Sequence, residues 1–211
     1  VNTTDADFPG TTRLARAKDA VGTLAQMLFE AGVNARYSLI SFNKTATQNT
    51  TGTNYWMSAE TQQGVNTVKT QVNNVSTGSG TNYQGAFHAA ATQLNNNARS
   101  DAQKVVVFLT DGVPTRYGND GNQGTGSEYI SGSRPPYDGE NVHDCFIGGT
   151  QGAAELSDAD IFYVIGFGSD MYSDTPKDFT FVDDDTGETR TMSPAEFIYG
   201  IGDAVSVKEV R

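Results

Sequence analysis

The chain has one cysteine, few basic residues and no long apolar run, and each shortage excludes a class of protein. Cys145 is the only cysteine in 211 residues, so the fold cannot rest on internal disulfides. With 14 lysines and arginines against 25 aspartates and glutamates, the net charge is -11, which argues against binding nucleic acid through its phosphates. No apolar run approaches the roughly 20 residues of a membrane span, so we expect no membrane insertion.

The abundant residues are asparagine, threonine and glycine, and they lie mainly between segments of regular hydrophobic pattern. We therefore predict surface loops around one domain, residues 1–204, with residues 205–211 as a strand that leads into a further domain. The sequence shows no signal peptide and no anchoring tail. We expect it to be an excerpt of a larger, anchored protein.

Apolar residues at helical spacing alternate with short apolar runs along the chain. The helical spacing predicts helices from Thr11 to Gly32, over 83–97 and over 194–204, and the apolar runs predict strands over 37–42, 104–110 and 161–166. The run at 104–110 is almost uninterrupted, which is typical of a parallel strand covered on both faces. This alternation predicts an α/β fold with a mostly parallel sheet.

The remaining segments carry weaker signals. A weak helical pattern covers 59–73, a short helix is predicted around 149–157, and polar loops are predicted at 43–53 and between residue 168 and Pro194. Residues 116–146 lack periodicity over a length that is unusual for a loop in a compact domain. We predict that this segment is an insertion on the binding rim and that it contributes to ligand selection.

Two polar residues stand at the ends of elements that should meet. Thr81 follows Gly80 and precedes the helix at 83–97, and Asp111 follows directly on the strand at 104–110. Ligands of open α/β sheets bind beyond the carboxyl ends of the strands, and both residues belong to that rim. A hydroxyl and a carboxylate are hard oxygen ligands, suited to Mg²⁺ or Mn²⁺. Because such ions take about six ligands, water, a bound ligand or protein outside this sequence must supply the others.

Five motifs in a fixed order make the chain resemble a known family. They are Arg13-Leu-Ala-Arg-Ala-Lys18, Tyr37-Ser-Leu-Ile-Ser-Phe42, Gly80-Thr81-Asn82, Val105 to Gly112, and Phe162-Tyr-Val-Ile-Gly-Phe-Gly168. Together they are similar to von Willebrand factor type A domains, most of all to those of Gram-positive surface adhesins and pilus-tip proteins. The resemblance implies a three-layer, doubly wound, Rossmann-like sheet, mostly parallel, with helices on both faces.

The resemblance also implies a metal-ion-dependent adhesion site. Such a site takes an Asp-x-Ser-x-Ser motif from the first strand, a threonine and an aspartate, and Thr81 and Asp111 match the last two. It further implies an extracellular, cell-surface domain that binds an acidic side chain of a protein ligand, from the extracellular matrix or a host surface. Asn82 and Tyr117 are expected on the ligand face.

The Asp-x-Ser-x-Ser motif itself is absent from residues 1–211. The family's first strand runs through the middle of the sheet, between neighbours that correspond here to 37–42 and 104–110. The resemblance therefore implies that this central strand comes from an upstream part of the polypeptide or from another chain. We expect a gap, or a strand not numbered here, between those two segments.

Alternatives remain open from the residues themselves. Thr81 alone would be an ordinary helix N-cap, and Asp111 alone a turn residue before Gly112. One alternative function is a metal-free scaffold for protein assembly. Another is an aspartate-dependent α/β hydrolase, but Val113 stands where a second carboxylate is needed, and no Gly-x-Ser-x-Gly occurs. We therefore expect no enzyme activity.

Three further features receive a structural interpretation. His88 is expected at the surface or at the boundary of the core, and a site built from His143 and Cys145 lacks a supporting cluster. Cys145 is predicted not to be catalytic, and its disulfide partner, if it has one, lies outside this chain. The acidic run Asp183-Asp184-Asp185 is interpreted as a solvated turn, with a weak calcium site as the alternative.

Overall fold

The structure is a computed structural model that describes residues 10–50, 55–112, 114–118, 140–167, 179–182 and 187–204. The chain divides into two units, the first made of Val1–Ser41 and Thr47–Thr77 and the second of Phe42–Ala46 and Gly78–Arg211. The elements follow in the order α1 (Arg13–Glu30), β1 (Arg36–Tyr37), β2 (Ile40–Phe42), β3 (Ala46–Gln48), β4 (Met57–Ser58), α2 (Gln62–Asn74), α3 (Tyr83–Asn97), β5 (Val105–Thr110), α4 (Glu140–Ala154), β6 (Ile161–Gly166), β7 (Phe179–Val182), β8 (Thr189–Met192) and α5 (Pro194–Ala204). Within these described ranges, no helix is both long and apolar enough to cross a membrane.

Two helices and a short strand pair form the first unit. Thr12 caps α1 by accepting a hydrogen bond from the backbone N–H of Ala15 at 3.2 Å, and the helix ends before Gly32, whose φ is 72°. The predicted helix from Thr11 to Gly32 is thereby confirmed. β1 pairs antiparallel with β4, and α2 packs against α1. Their apolar faces enclose a core of Ala25, Met57, Ala59, Val65, Val68 and Val72.

The strand predicted over 37–42 is divided in two, because the chain changes its strand partner at Ser38 and Leu39. β1 pairs with β4, whereas β2 pairs with β3. The Gln48 side chain donates to the hydroxyl of Ser38 at 2.9 Å and to the carbonyl of Leu39 at 3.3 Å, and that carbonyl also accepts from the backbone N–H of Asn49 at 2.8 Å. β3 lies in a stretch predicted as loop, because its sequence carries no apolar alternation.

A parallel strand pair and three helices build the second unit. β5 and β6 run parallel, with Val105 opposite Ile161 and Thr110 opposite Gly166. α4 packs against α3 and α5. A cluster of aromatic rings from strands and helices fills the core, with neighbouring ring centroids 4.6 to 6.1 Å apart, and consists of Phe42, Tyr83, Phe87, Phe108, Phe146, Phe162 and Phe197. The predicted helix at 83–97 and both buried strands are confirmed.

The two faces of the parallel pair differ in exposure. Phe108 and Phe162 are buried, at 6% and 0% exposure, whereas Val105, Val107 and Ile165 on the opposite face are 44%, 41% and 46% exposed. This differs from the expected strand covered on both faces, because the described residues pack closely on one face only. Among the described strands β6 alone pairs with β5, so a central strand supplied from outside the chain stays a prediction.

α4 begins earlier than the sequence pattern indicates. The pattern predicts a short helix around 149–157, whereas α4 spans Glu140–Ala154. Its glycines at 148, 149 and 152 hide the periodicity, because glycine has no side chain to mark a buried face. The insertion predicted at 116–146 is correspondingly shorter, and residues 119–139 of it lie outside the described part of the chain.

A hairpin and a capped helix close the described part of the second unit. β7 and β8 pair antiparallel in a stretch predicted as loop, since the apolar signal of β7 covers only four residues and β8 is largely polar. α5 confirms the helix predicted at 194–204. Ser193 N–H donates to the Glu196 carboxylate at 2.7 Å and Glu196 N–H donates to the Ser193 hydroxyl at 3.2 Å, a reciprocal cap that lowers the pKa of Glu196. Residues 183–186, with the acidic run, and 205–211 lie outside the described residues.

Candidate metal site at the carboxyl rim

The helix that follows the predicted threonine is capped by Asn82, not by Thr81. The side-chain oxygen of Asn82 accepts a hydrogen bond from the N–H of Gly85 at 2.9 Å, and α3 begins at Tyr83. Thr81 is half-buried one position earlier, and none of the described residues forms a hydrogen bond with its hydroxyl. The N-cap alternative for Thr81 is therefore wrong, and its hydroxyl is available to a ligand.

The backbone of Thr81 is fixed to the segment that follows Asp111. The Thr81 N–H donates to the hydroxyl of Thr115 at 3.0 Å, and the Thr81 carbonyl accepts from the N–H groups of Thr115 at 2.8 Å and Arg116 at 3.0 Å. Gly80 permits this close approach, because its φ is 78° and an added Cβ would lie 3.2 Å from the Arg116 side chain. The loop that carries Thr81 is thus held against the chain just beyond Asp111.

Asn82 joins three parts of the second unit and is only 1% exposed. Its amide nitrogen donates to the carbonyls of Lys44 at 3.3 Å and Gly118 at 3.0 Å, and its backbone N–H donates to the carbonyl of Asn43 at 2.8 Å. Since its side-chain oxygen caps α3, both polar atoms of the side chain are engaged. Asn82 therefore offers no surface to a ligand, which differs from the ligand-face position expected of it. Its contribution is to hold the loop in place.

Thr110 closes the turn that carries Asp111. The Thr110 hydroxyl lies 2.9 Å from the carbonyl oxygen and 3.4 Å from the nitrogen of Gly112, and the Thr110 carbonyl accepts from the N–H of Phe167 at 2.9 Å. Thr110 is 4% exposed, whereas Asp111 is half-buried. A hydroxyl at the end of an apolar strand thus shapes the turn, and Asp111 stands at its tip.

The phenol of Tyr83 reaches the same turn from α3. Its hydroxyl donates to the carbonyl of Gly112 and lies 2.9 Å from the hydroxyl of Thr110. Burial raises the pKa of the Tyr83 phenol far above its ordinary value, the hydrogen bond with Thr110 lowers that pKa in part, and the charge of Asp111 raises it further. The phenol thus holds the turn through the residues on either side of Asp111.

Two sets of hydrogen bonds therefore connect the segment that carries Thr81 with the segment that carries Asp111. Thr81 is tied to residues 115–116, and Tyr83 is tied to residues 110 and 112. Among the described residues, no three of His, Cys, Asp and Glu come together, so an ion here would rely on the Thr81 hydroxyl, the Asp111 carboxylate and further oxygens. Hard oxygens fit Mg²⁺ or Mn²⁺ better than a thiophilic metal. Ligation by Thr81 and Asp111 stays a prediction.

Tyr117 and His88 lie at the edges of the second unit's core. Tyr117 is half-buried beside α4, since a Cβ added at Gly148 would lie 3.1 Å from the Cβ of Tyr117. The ligand-face role of Tyr117 stays a prediction.

The Nδ1 atom of His88 lies 2.6 Å from Oε2 of Glu155, and these side chains are 44% and 36% exposed. The expected boundary position of His88 is confirmed.

Cys145 forms no disulfide and is buried in α4 at 1% exposure. A thiol so enclosed does not fit a disulfide to another chain, which needs an accessible sulfur. It behaves as a small apolar side chain of the core.

Sequence reasoning missed Tyr83, Thr110 and Thr115 as parts of the site. Two of these hydroxyls stand at informative positions in the sequence. Thr110 is the last residue of an apolar strand, and Tyr83 follows directly on the Thr81 loop. Their meaning depends on contacts between segments 27 or more residues apart, which no local pattern records.

Comparison with known proteins assigns the chain to a family. A family model described as the von Willebrand factor type A domain matches residues 2–113, a range that includes both Thr81 and Asp111. The chain belongs to the von Willebrand factor type A domain family. The resemblance stated from the sequence motifs is thereby confirmed, and so is the α/β, Rossmann-like fold class that it implies for this type A domain.

A solved structure has the same fold as this type A domain. The crystal structure of the pilus adhesin SpaC from Lactobacillus rhamnosus GG matches with a TM-score of 0.53 and 19% sequence identity. The match covers 96% of this chain and 26% of the adhesin, so the likeness concerns the fold of one part of that protein. Among curated proteins, none matches the chain.

Proposed function

We propose that this type A domain binds a divalent cation, Mg²⁺ or Mn²⁺, at Thr81 and Asp111 and uses it to bind an acidic side chain of a partner protein. The observation that carries the proposal is the Asn82 cap. It leaves the Thr81 hydroxyl without a hydrogen-bond partner among the described residues, on a loop tied to the Asp111 turn. A threonine that served only to begin the helix would use its hydroxyl for the cap.

The donor set fits a hard cation. Asp111 supplies a negative charge, and Thr81 supplies a neutral oxygen on a backbone that is held by three hydrogen bonds. Two protein oxygens leave most of a shell of about six to water, to further protein and to the partner. A bound ion supplies a fixed positive charge, which orients a partner carboxylate, while the surrounding rim supplies contact area.

Binding at a cell surface is the setting that the family and the fold support. The likeness to the pilus adhesin concerns fold alone, so we infer by analogy an extracellular domain of a larger anchored protein, with a partner in the extracellular matrix or on a host surface. The net charge of -11 favours a protein ligand over nucleic acid. We infer binding without catalysis, because the proposed site offers orientation and contact.

Asp111→Ala in the full-length protein tests the metal site. Calorimetric titration with Mg²⁺ and with Mn²⁺ is expected to show one site fewer in the variant, because the charged ligand of the rim is gone. The thermal unfolding midpoint is expected to change little, since Asp111 is half-buried at the tip of a turn. Thr81→Val, which keeps the shape and removes the hydroxyl, is expected to weaken Mg²⁺ binding on the order of tenfold.

Asp101→Ala is the matched control for Asp111→Ala. Asp101 is exposed and precedes β5, whereas Asp111 follows it, so the same charge is removed at the other end of the strand. Equal Mg²⁺ binding by wild type and Asp111→Ala would contradict the proposed site. Adhesion to a protein partner that persists unchanged in a chelator would favour the metal-free scaffold.

A further inference from the structure

Tyr83 connects the helix that follows Thr81 to the turn that carries Asp111. Three oxygens meet there, since the phenol oxygen lies 2.9 Å from the Thr110 hydroxyl and the phenol donates to the Gly112 carbonyl. The Thr110 hydroxyl lies 2.9 Å from that same carbonyl. The cluster therefore brackets Asp111, with one bonded residue on either side of it.

The ring that carries this hydroxyl is held from several sides. Tyr83 is 0% exposed. Its centroid lies 4.8 Å from that of Phe108, 5.8 Å from that of Phe197 and 6.1 Å from those of Phe42 and Phe87. A ring enclosed in this way keeps one rotamer, so its hydroxyl occupies one position. The buried hydroxyl needs its hydrogen bonds, which fixes the turn to the ring.

We propose that Tyr83 is a positioning residue of the rim, which holds the Asp111 carboxylate in place relative to the Thr81 hydroxyl through Thr110 and Gly112. The identity of the ion rests on the proposed function, whereas the positioning rests on these contacts alone. One short segment makes both ties, because the backbone at 81 binds residues 115–116 and the phenol at 83 binds residues 110 and 112. The segment from Thr81 to Tyr83 thereby fixes the distance between the Thr81 hydroxyl and the Asp111 carboxylate.

Tyr83→Phe separates positioning from simple core packing, because phenylalanine keeps the aromatic contacts and removes only the hydroxyl. In the full-length protein we expect Mg²⁺ affinity to fall on the order of tenfold, as when a group that orients a metal ligand is lost. In the metal-free protein we expect faster amide hydrogen exchange at residues 111 and 112, since the turn loses the bond that anchors it.

Two control variants show what a merely structural role would do. Phe162→Leu weakens the same aromatic cluster at a ring that packs on Phe87 and not on Tyr83, so it is expected to lower the thermal midpoint more than Tyr83→Phe and to leave Mg²⁺ affinity unchanged. Tyr37→Phe removes a buried hydroxyl to which the described residues offer no hydrogen-bond partner, and is expected to change neither affinity nor exchange at the turn.

Tyr83 also offers a direct spectroscopic signal. Its phenol is hydrogen-bonded to the residues on either side of Asp111, so an ion bound at the Asp111 carboxylate is expected to shift the resonance of the ring carbon that bears the hydroxyl. Carbon NMR of tyrosine-labelled protein, titrated with Mg²⁺, measures this shift. The Tyr37 resonance serves as the reference within the same protein and is expected to stay in place.

The outcomes distinguish the positioning role from the metal site. Tyr83→Phe with wild-type exchange at residues 111 and 112 and wild-type Mg²⁺ affinity would overturn the inference, even if Asp111→Ala abolishes Mg²⁺ binding. Faster exchange in Tyr83→Phe, in a protein whose rim binds no Mg²⁺, would support the positioning and overturn the proposed function. Thr110→Val is the second variant, and its effects on exchange are expected to combine with those of Tyr83→Phe to less than their sum.

Discussion

Asn82 holds together the loop around Thr81. Its carboxamide presents one acceptor and two donors, so a single side chain caps α3 and binds the carbonyls of Lys44 and Gly118. A smaller polar residue can cap a helix but cannot also reach two carbonyls. The position of the Thr81 hydroxyl therefore depends on a neighbour that itself touches no ligand.

Asn82→Ala is expected to lower the free energy of unfolding by roughly 2–4 kcal/mol, about 1 kcal/mol from the lost cap and about 1–3 kcal/mol from carbonyls left without donors. Urea unfolding of the full-length protein measures the change. Asn82→Asp is expected to cost at least as much as alanine, since aspartate keeps the acceptor that caps α3 but turns a buried, negatively charged oxygen toward the carbonyls of Lys44 and Gly118.

Thr61→Ala is the matched control, because Thr61 caps α2 by accepting from the N–H of Gly64 at 3.1 Å, and its side chain makes no second set of bonds to the part of the chain that the structure describes. Its cost is expected to be about 1 kcal/mol, that of a cap alone. Equal costs for Asn82→Ala and Thr61→Ala would show that the bonds to Lys44 and Gly118 contribute nothing.

The close approach of α3 and α4 depends on glycine. A Cβ added at Gly152 would lie 2.9 Å from Cα and 3.1 Å from the carbonyl oxygen of Gln84, and one added at Gly148 would lie 2.5 Å from the Gln84 side chain. Gly148 and Gly152 stand one turn apart on α4, so together they leave a patch without side chains against which the first turn of α3 packs. This contact sets the start of α3, and hence the Thr81 loop that precedes it.

Gly152→Ala is expected to destabilise the protein by about 1–3 kcal/mol, because the methyl group would clash with the backbone of Gln84, which cannot move away as a flexible side chain can. Chemical denaturation monitored by circular dichroism measures the loss. Gly200→Ala in α5 is the control, since outside the local helix backbone no atom of the described residues lies within 4 Å of the added Cβ, and alanine there is expected to stabilise by about 0.5–1 kcal/mol. A neutral Gly152→Ala would contradict the role given to this contact.

At the scale of the whole molecule, ligand choice is predicted to depend on residues 119–139. The structure fixes the ends of this segment, since the Gly118 N–H donates to Gln84 at 2.8 Å, the Gly118 carbonyl accepts from Asn82, and α4 begins at Glu140. Replacing only 119–139 by a Gly/Ser linker keeps these anchors. Because loop length affects stability weakly, unfolding and Mg²⁺ affinity are expected to stay near wild type.

Adhesion of this replacement variant to a panel of purified extracellular matrix proteins is expected to change in its pattern of partners. A Gly/Ser linker of the same length and a shorter one separate the effect of sequence from that of length. Loss of folding in both linkers would show that the segment is structural, and the prediction of ligand selection would be wrong.

The sequence by itself determined the elements whose signal lies in one contiguous stretch. The helices at Arg13–Glu30, Tyr83–Asn97 and Pro194–Ala204 and the strands β5 and β6 follow from local periodicity, and the family follows from motifs that lie between and within them. The short strands β3, β7 and β8 were not predictable in this way, because a segment of three or four residues carries too little pattern and becomes a strand when a partner supplies its hydrogen bonds.

Only the tertiary structure decided which polar atom does which task at the rim. The sequence left Thr81 as a cap or a ligand and placed Asn82 on the ligand face. The bonds of Asn82 show that it, and not Thr81, caps α3 and that its own side chain is engaged within the fold, while ligation by Thr81 stays a prediction. The Tyr83 hydroxyl finds Thr110 across 27 residues of chain. Periodicity depends only on residues that are close along the chain. Buried polar groups instead form hydrogen bonds with whichever groups the folded core places within reach.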